Sequence, residues 1–278
     1  MTKAQGANGS LCFCHCLEVL EVIMNSYLLE EIKEGLLLFT INRPNKRNAI
    51  NYDVMNGLEL AIEKMKDDSL KALIITGAGN QAFCSGGDLA AFHELKTEAQ
   101  AYSMLSKMSK ILIKLLLLPK PTIALMNGTA LGGGCELASA CDFRIARNGI
   151  KAGFIQGKLA ITTGWGGGTI LFEKIAPASA MKLLLEAKSY ETEVLVEHGF
   201  LDSVYEGSPV ESCIEFLQET LTLDASVLRA FKSILVRKWT STDIKARMNE
   251  EVLTCSKLWS SDVHHEQVDK FLKRKKDK

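Results

Sequence analysis

The chain lacks any run of about 20 consecutive apolar residues, so nothing in its 278 residues reads as a membrane-crossing helix. The apolar segment from Leu11 to Ile23 is too short, and Glu18 and Glu21 interrupt it as a signal-peptide core. An excess of either charge is also missing. Its 33 basic and 33 acidic residues cancel, which removes the electrostatic reason to expect a nucleic-acid partner. The basic residues Lys270, Lys273, Arg274, Lys275, Lys276 and Lys278 read as a solvated tail. There is no internal repeat, low-complexity segment or charged linker, and no Gly-x-Ser-x-Gly elbow. Eight cysteines are present, but most lie in apolar runs where a reduced thiol packs as a small hydrophobe. Cys12, Cys14 and Cys16 stand too close together for the usual spacing of a zinc site. The expectations are a reducing cytoplasm, no metal, no nucleic acid and no membrane.

What is present is ordinary globular composition, 47% hydrophobic and 24% charged. Residues 1–23 read as an extension, disordered or loosely attached, such as an early start codon would add. From Met24 the pattern becomes regular. Leu36–Ile41 reads as a strand and Tyr52–Lys66 as an amphipathic helix. Ala72–Thr76 is a buried strand, Thr97–Leu118 a helix, Thr122–Met126 a strand, Gly132–Ala140 a helix and Phe143–Ala146 a strand. From about Pro177 the pattern is helical nearly to the end. Strands alternating with helices predict an α/β fold with parallel pairing over 24–210, followed by a helical region over 211–278.

Two glycine-rich loops each follow a buried strand, where ligands commonly dock. The first is Ala82-Phe-Cys-Ser85-Gly86-Gly87-Asp88-Leu89, and the second is Asn127-Gly-Thr129-Ala-Leu-Gly132-Gly133-Gly134-Cys-Glu136-Leu137. An N–H at Gly133 sits at a helix start, where unpaired donors favour negative charge. Two such donors aimed at one point form an oxyanion hole. The plainer reading is a pair of tight turns packing helix on sheet. Gly77-Ala-Gly79-Asn-Gln-Ala82 mimics a dinucleotide fingerprint but fails to open a helix. Cys84 with His93 lacks an orienting third group for thiol catalysis.

These loops, together with Asn42-Arg-Pro-Asn-Lys46-Arg47-Asn48-Ala49 and Gly164-Trp-Gly-Gly167, resemble in order and spacing the crotonase (enoyl-CoA hydratase/isomerase) family, from Leu36 to Tyr205. The resemblance implies a ββα spiral core with a C-terminal helical region, assembled as a homotrimer or hexamer. It implies an acyl-CoA thioester substrate, with coenzyme A as part of that substrate and no separate cofactor. The thioester oxygen would meet the N–H groups of Gly87 and Gly133. The Ser85 carbonyl would bind adenine, and Lys46, Arg47, Asn48 and Ala49 would line the coenzyme A entrance. Gly86, Asp88, Leu89, Thr129, Gly132 and Ile155 complete the expected substrate-binding set.

Hydratases of the family hold water between two glutamates. Glu136 matches the first, but the second position carries Gln156. An amide cannot exchange a proton at neutral pH. Glu136 also has a plainer reading, a first-turn carboxylate paired with the helix dipole. Phe154–Gly167 and Ala140–Arg144 resemble ethylmalonyl-CoA decarboxylase-like members, which also lack the second glutamate. Loss of CO₂ generates the enolate directly and needs only a proton donor, and Gln156 could donate a hydrogen bond to the departing carboxylate. Decarboxylation, hydration and silent binding of a CoA thioester all remain open at this stage.

Overall fold

The computed structural model describes residues 26–276; the expected extension 1–23, with Cys12, Cys14 and Cys16, lies outside them. The elements in chain order begin with β1 (Tyr27–Ile32), β2 (Leu36–Ile41), α1 (Tyr52–Lys64), β3 (Ala72–Gly77) and β4 (Ala82–Cys84). Next come α2 (Leu89–Phe92), α3 (Glu98–Leu116), β5 (Thr122–Met126), β6 (Thr129–Leu131), α4 (Gly133–Ala140), β7 (Phe143–Arg147) and β8 (Lys151–Gly153). The chain continues through α5 (Gly167–Lys174), α6 (Pro177–Leu185), β9 (Tyr190–Glu191), α7 (Thr192–Glu197) and β10 (Ser203–Tyr205). It closes with α8 (Pro209–Thr222), α9 (Ala225–Ser241), α10 (Ile244–Trp259) and α11 (Asp262–Lys276). No helix among the described residues is long and apolar enough to cross a membrane.

Local chemistry explains the borders. Asn51 caps α1 by accepting from Val54 N at 3.0 Å, and Thr97 with Gln100 forms a capping box at α3. β2 and β3 are buried along their whole length, as strands covered on both faces must be.

Two sheets share the chain. One has the order β1-β2-β3-β5-β7-β10 and the other β4-β6-β8-β9. Successive segments alternate between them: β3 then β4, β5 then β6, β7 then β8. This is the expected spiral, and its strands pair in parallel except for β1 with β2 and β8 with β9. The alternating side chains of β2 feed two cores. Leu37, Phe39 and Ile41 face the main core with α1 and α3, whereas Leu36 and Leu38 meet Cys213, Leu217 and Leu221 of α8.

Several sequence expectations need correction. The loops 77–88 and 127–137 contain β4 and β6, and the stretch after Pro177 contains β9 and β10. Strands of two or three residues are too short to show a period of two. α8 spans both sides of position 210, and α10 contributes Met248, Val252 and Cys255 to the main core.

The consequence for the site is direct. β4 and β6 are parallel neighbours, so their C-terminal ends, Cys84 and Leu131, deliver the two glycine loops side by side.

Candidate active site

Gly86 has φ +95°, and a Cβ built on it would lie 3.2 Å from both Gly133 N and Leu131 O. The two loops therefore touch, and only glycine gives both the left-handed turn and the close approach. The Gly86 carbonyl accepts from Ile50 N at 2.8 Å. Across a trans peptide the next N–H, that of Gly87, points the opposite way. Among the described residues that N–H has no protein acceptor. Gly133 is the first residue of α4, so its N–H is free of intrahelical bonding by construction. Two unpaired backbone donors thus flank one small region, at the positive end of a helix.

The indole of Trp165 forms one wall. A Cβ on Gly133 would overlap its Cζ3 and Cη2, and one on Gly87 would stand 3.6 Å from its Cζ2. Trp165 is held from behind by Glu136. That carboxylate, 2% exposed, accepts four hydrogen bonds: from Gln156 Nε2 (2.9 Å) and Gly164 N (3.2 Å) on Oε1, and from Trp165 N (2.8 Å) and Gly167 N (3.0 Å) on Oε2. Three further bonds tie the following residues to α10, where Glu251 accepts from Gly168 N, Thr169 N and Thr169 Oγ1. Burial and the charge of Glu251 push the Glu136 carboxyl up to about 7, against the downward pull of the Trp165, Gly167 and Gly164 N–H groups.

Gln156 donates to Glu136, while its own Oε1 is buried without a partner. The amide lies 3.6–3.8 Å from where a Cβ on Gly132 would project, so the unmatched oxygen stands beside the glycine turn. An orphaned buried acceptor is uncommon and marks a place where a donor is wanted.

A model of the family described as enoyl-CoA hydratase/isomerase matches residues 31–278. The chain belongs to that family. A short-chain-enoyl-CoA hydratase of Clostridium acetobutylicum is 30% identical over 256 residues, covering 91% of this chain and 97% of that protein. Ethylmalonyl-CoA decarboxylase of Bos taurus is 34% identical over 209 residues, 73% of this chain and 68% of that one. The crystal structure of an enoyl-CoA hydratase/isomerase from Xanthobacter autotrophicus Py2 superposes with a TM-score of 0.81 at 24% identity, covering 89% of this chain and 93% of that one.

Within this family member the expected site residues do not all converge equally. Gly86, Gly87, Gly132, Gly133, Glu136 and Gln156 come together as described. Lys46, Arg47, Ala49 and Ser85 also form one strip: Ser85 N donates to Arg47 O at 3.1 Å and Ser85 Oγ to Lys46 O at 3.4 Å. The side chains of Lys46 and Arg47 are exposed. Leu89 and Ile155 are half-buried. Asp88 pairs with Arg43 at 2.7 Å, so its carboxylate holds the loop together. Thr129 opens β6, at the opposite end of that strand from Gly132, and its N–H donates to Gln81 O. Cys84 is sealed and its thiol is pushed up to about 12 by burial, which disposes of thiolate chemistry there.

Arg43 and Trp165 carried no expected role, and Asn48 was expected only to line the coenzyme A entrance. Arg43 bridges Asp88 and the Ala49 carbonyl. Asn48, fully buried, donates to Ala78 O and Ala82 O and accepts from Arg43 N. Trp165 was visible only as one letter of a glycine motif. An aromatic residue between glycines is the signal that could have drawn attention to it, because glycine lets a ring lie flat on the backbone.

Proposed function

We propose that this protein acts on acyl-CoA thioesters, holding the thioester oxygen between the N–H groups of Gly87 and Gly133 while an enolate forms, and that its reaction is decarboxylation of a malonyl-type acyl-CoA. One observation carries the choice of reaction: the Glu136 carboxylate is occupied by four N–H donors, and the residue beside it is the neutral amide of Gln156. Activating water needs a base with a free lone pair in reach. Decarboxylation needs none. The bond between the α-carbon and the carboxylate carbon breaks, CO₂ leaves, and the electron pair passes into the thioester as an enolate. A proton from water then returns to the α-carbon. One N–H of the Gln156 amide is held by Glu136, and its second N–H is left for the expected donation to the departing carboxylate. The exposed cations Lys46 and Arg47 suit the phosphates of coenzyme A. A cytoplasmic homotrimer or hexamer is the assembly we associate with this activity.

Hydration of a short enoyl-CoA is the second reading, favoured by the match that spans 97% of the Clostridium hydratase. Incubation with a panel of enoyl- and malonyl-type CoA esters, read by mass spectrometry, separates the two. The expected outcome is loss of 44 mass units from ethylmalonyl-CoA or a close analogue, about the mass of CO₂, with crotonyl-CoA hydrated at least a hundredfold more slowly. Turnover of crotonyl-CoA at an ordinary hydratase rate would refute the decarboxylase assignment. Tight binding of these esters without any product would place the protein among silent CoA-thioester binders.

A further inference from the structure

The chain has three tryptophans, and their indole N–H groups have three different fates. Trp259 Nε1 donates to Leu95 O at 2.8 Å. Trp239 Nε1 is sealed and unpartnered, its ring lying under Lys174 and Lys232. Trp165 is 4% exposed overall, yet its Nε1–H makes no hydrogen bond among the described residues and is not among the sealed, unpartnered side-chain atoms. It therefore opens onto accessible space. Nε1 is attached to the ring carbon next to Cζ2, the atom that approaches Gly87, so the free donor lies at the Gly87 edge of the indole.

A buried residue with an open polar atom is an unfilled hydrogen-bonding position. Three unpaired donors then surround the glycine pair: the N–H groups of Gly87 and Gly133 and the indole N–H of Trp165. An enolate oxygen takes two of them. We propose that the third, Trp165 Nε1–H, donates to the carboxylate of the malonyl-type acyl group and so distinguishes a carboxylated acyl-CoA from an uncharged one. This assignment rests on the reading of function above and names the residue that sets its substrate class.

The choice of a neutral donor suits the chemistry. A lysine or arginine would stabilise the ground-state carboxylate as an ion pair and oppose its conversion to neutral CO₂. An indole fixes the direction of the scissile bond while adding little charge stabilisation, and its apolar ring favours the uncharged product.

The test uses the full-length protein and two inert amide analogues, with nitrogen in place of the thioester sulfur: one of ethylmalonyl-CoA and one of butyryl-CoA. With ¹⁵N-labelled tryptophan, one indole N–H resonance should move downfield with the ethylmalonyl analogue and stay in place with the butyryl analogue. Trp165→Phe, which keeps a ring and removes the donor, should delete that resonance. It should also weaken the ethylmalonyl analogue by about tenfold or more, the scale of one hydrogen bond to a charged group, and leave the butyryl analogue within about twofold. Equal weakening of both ligands, or of neither, overturns the assignment while leaving the functional reading intact, as does an indole spectrum that responds alike to both. Failure of the wild-type protein to bind either analogue overturns the functional reading and this assignment with it.

Discussion

Replacing Glu136 by alanine is expected to lower the unfolding free energy by about 3–5 kcal/mol and the midpoint of thermal unfolding by about 10 °C. The reason is the number of orphans it creates. Three backbone N–H groups, of Gly164, Trp165 and Gly167, lose their only acceptor, together with the Gln156 amide. At about 1 kcal/mol each, the low end for a buried donor left unpaired, the four together give that magnitude. Glu136→Gln should fall between the two, since its NH₂ must face at least one donor. Denaturant titration reads all three proteins.

The same residue gives a pH signature. Its carboxyl is raised from 4.5 to about 7 in the fold. Between those values the native state holds a proton that the unfolded chain has released. Stability therefore falls as pH rises through that window and levels off above it, by about 3 kcal/mol across the range. Glu136→Gln should remove that slope. An identical pH dependence in wild type and variant would show that Glu136 does not titrate as described.

The second large effect is on turnover. Gly133→Ala should reduce kcat by about 10²–10³-fold, the usual consequence of disturbing an oxyanion donor, because the new methyl overlaps the Trp165 ring. Either the ring shifts or the N–H turns away from the substrate oxygen. Gly87→Ala is the informative companion. There the added Cβ meets Phe92 at 3.4 Å and Trp165 at 3.6 Å, ordinary contact distances, so its loss should be about tenfold or less. Steady-state decarboxylation kinetics with circular dichroism as a check on folding decide it. Equal losses at both positions would indicate that steric room around the indole is not what matters.

The long buried strands and helices were legible because their hydrophobic periods run for five residues or more. β2 and β5 appear where the apolar runs placed them. β1 escaped notice because Tyr27-Leu-Leu-Glu-Glu-Ile32 does not alternate cleanly. The short strands β4 and β6 lay hidden inside glycine loops, although they are what sets those loops beside each other. Glycine spacing marked two loops that the structure brings side by side. It could not reveal that Glu136 is bound by peptide N–H groups from a segment 28–31 residues away, since backbone donors leave no trace in residue identity. The pairing of Arg43 with Asp88 was hidden for a similar reason, because the two meet across a separation of 45 residues that no local pattern spans.

The central claim is that two peptide donors meet one oxygen. A crystal structure with the amide analogue of butyryl-CoA bound tests it most directly. The acyl oxygen is predicted to lie about 3 Å from both Gly87 N and Gly133 N, with the Trp165 ring beside the acyl chain. An acyl group seated elsewhere, or an oxygen that reaches only one of the two nitrogens, would contradict the account.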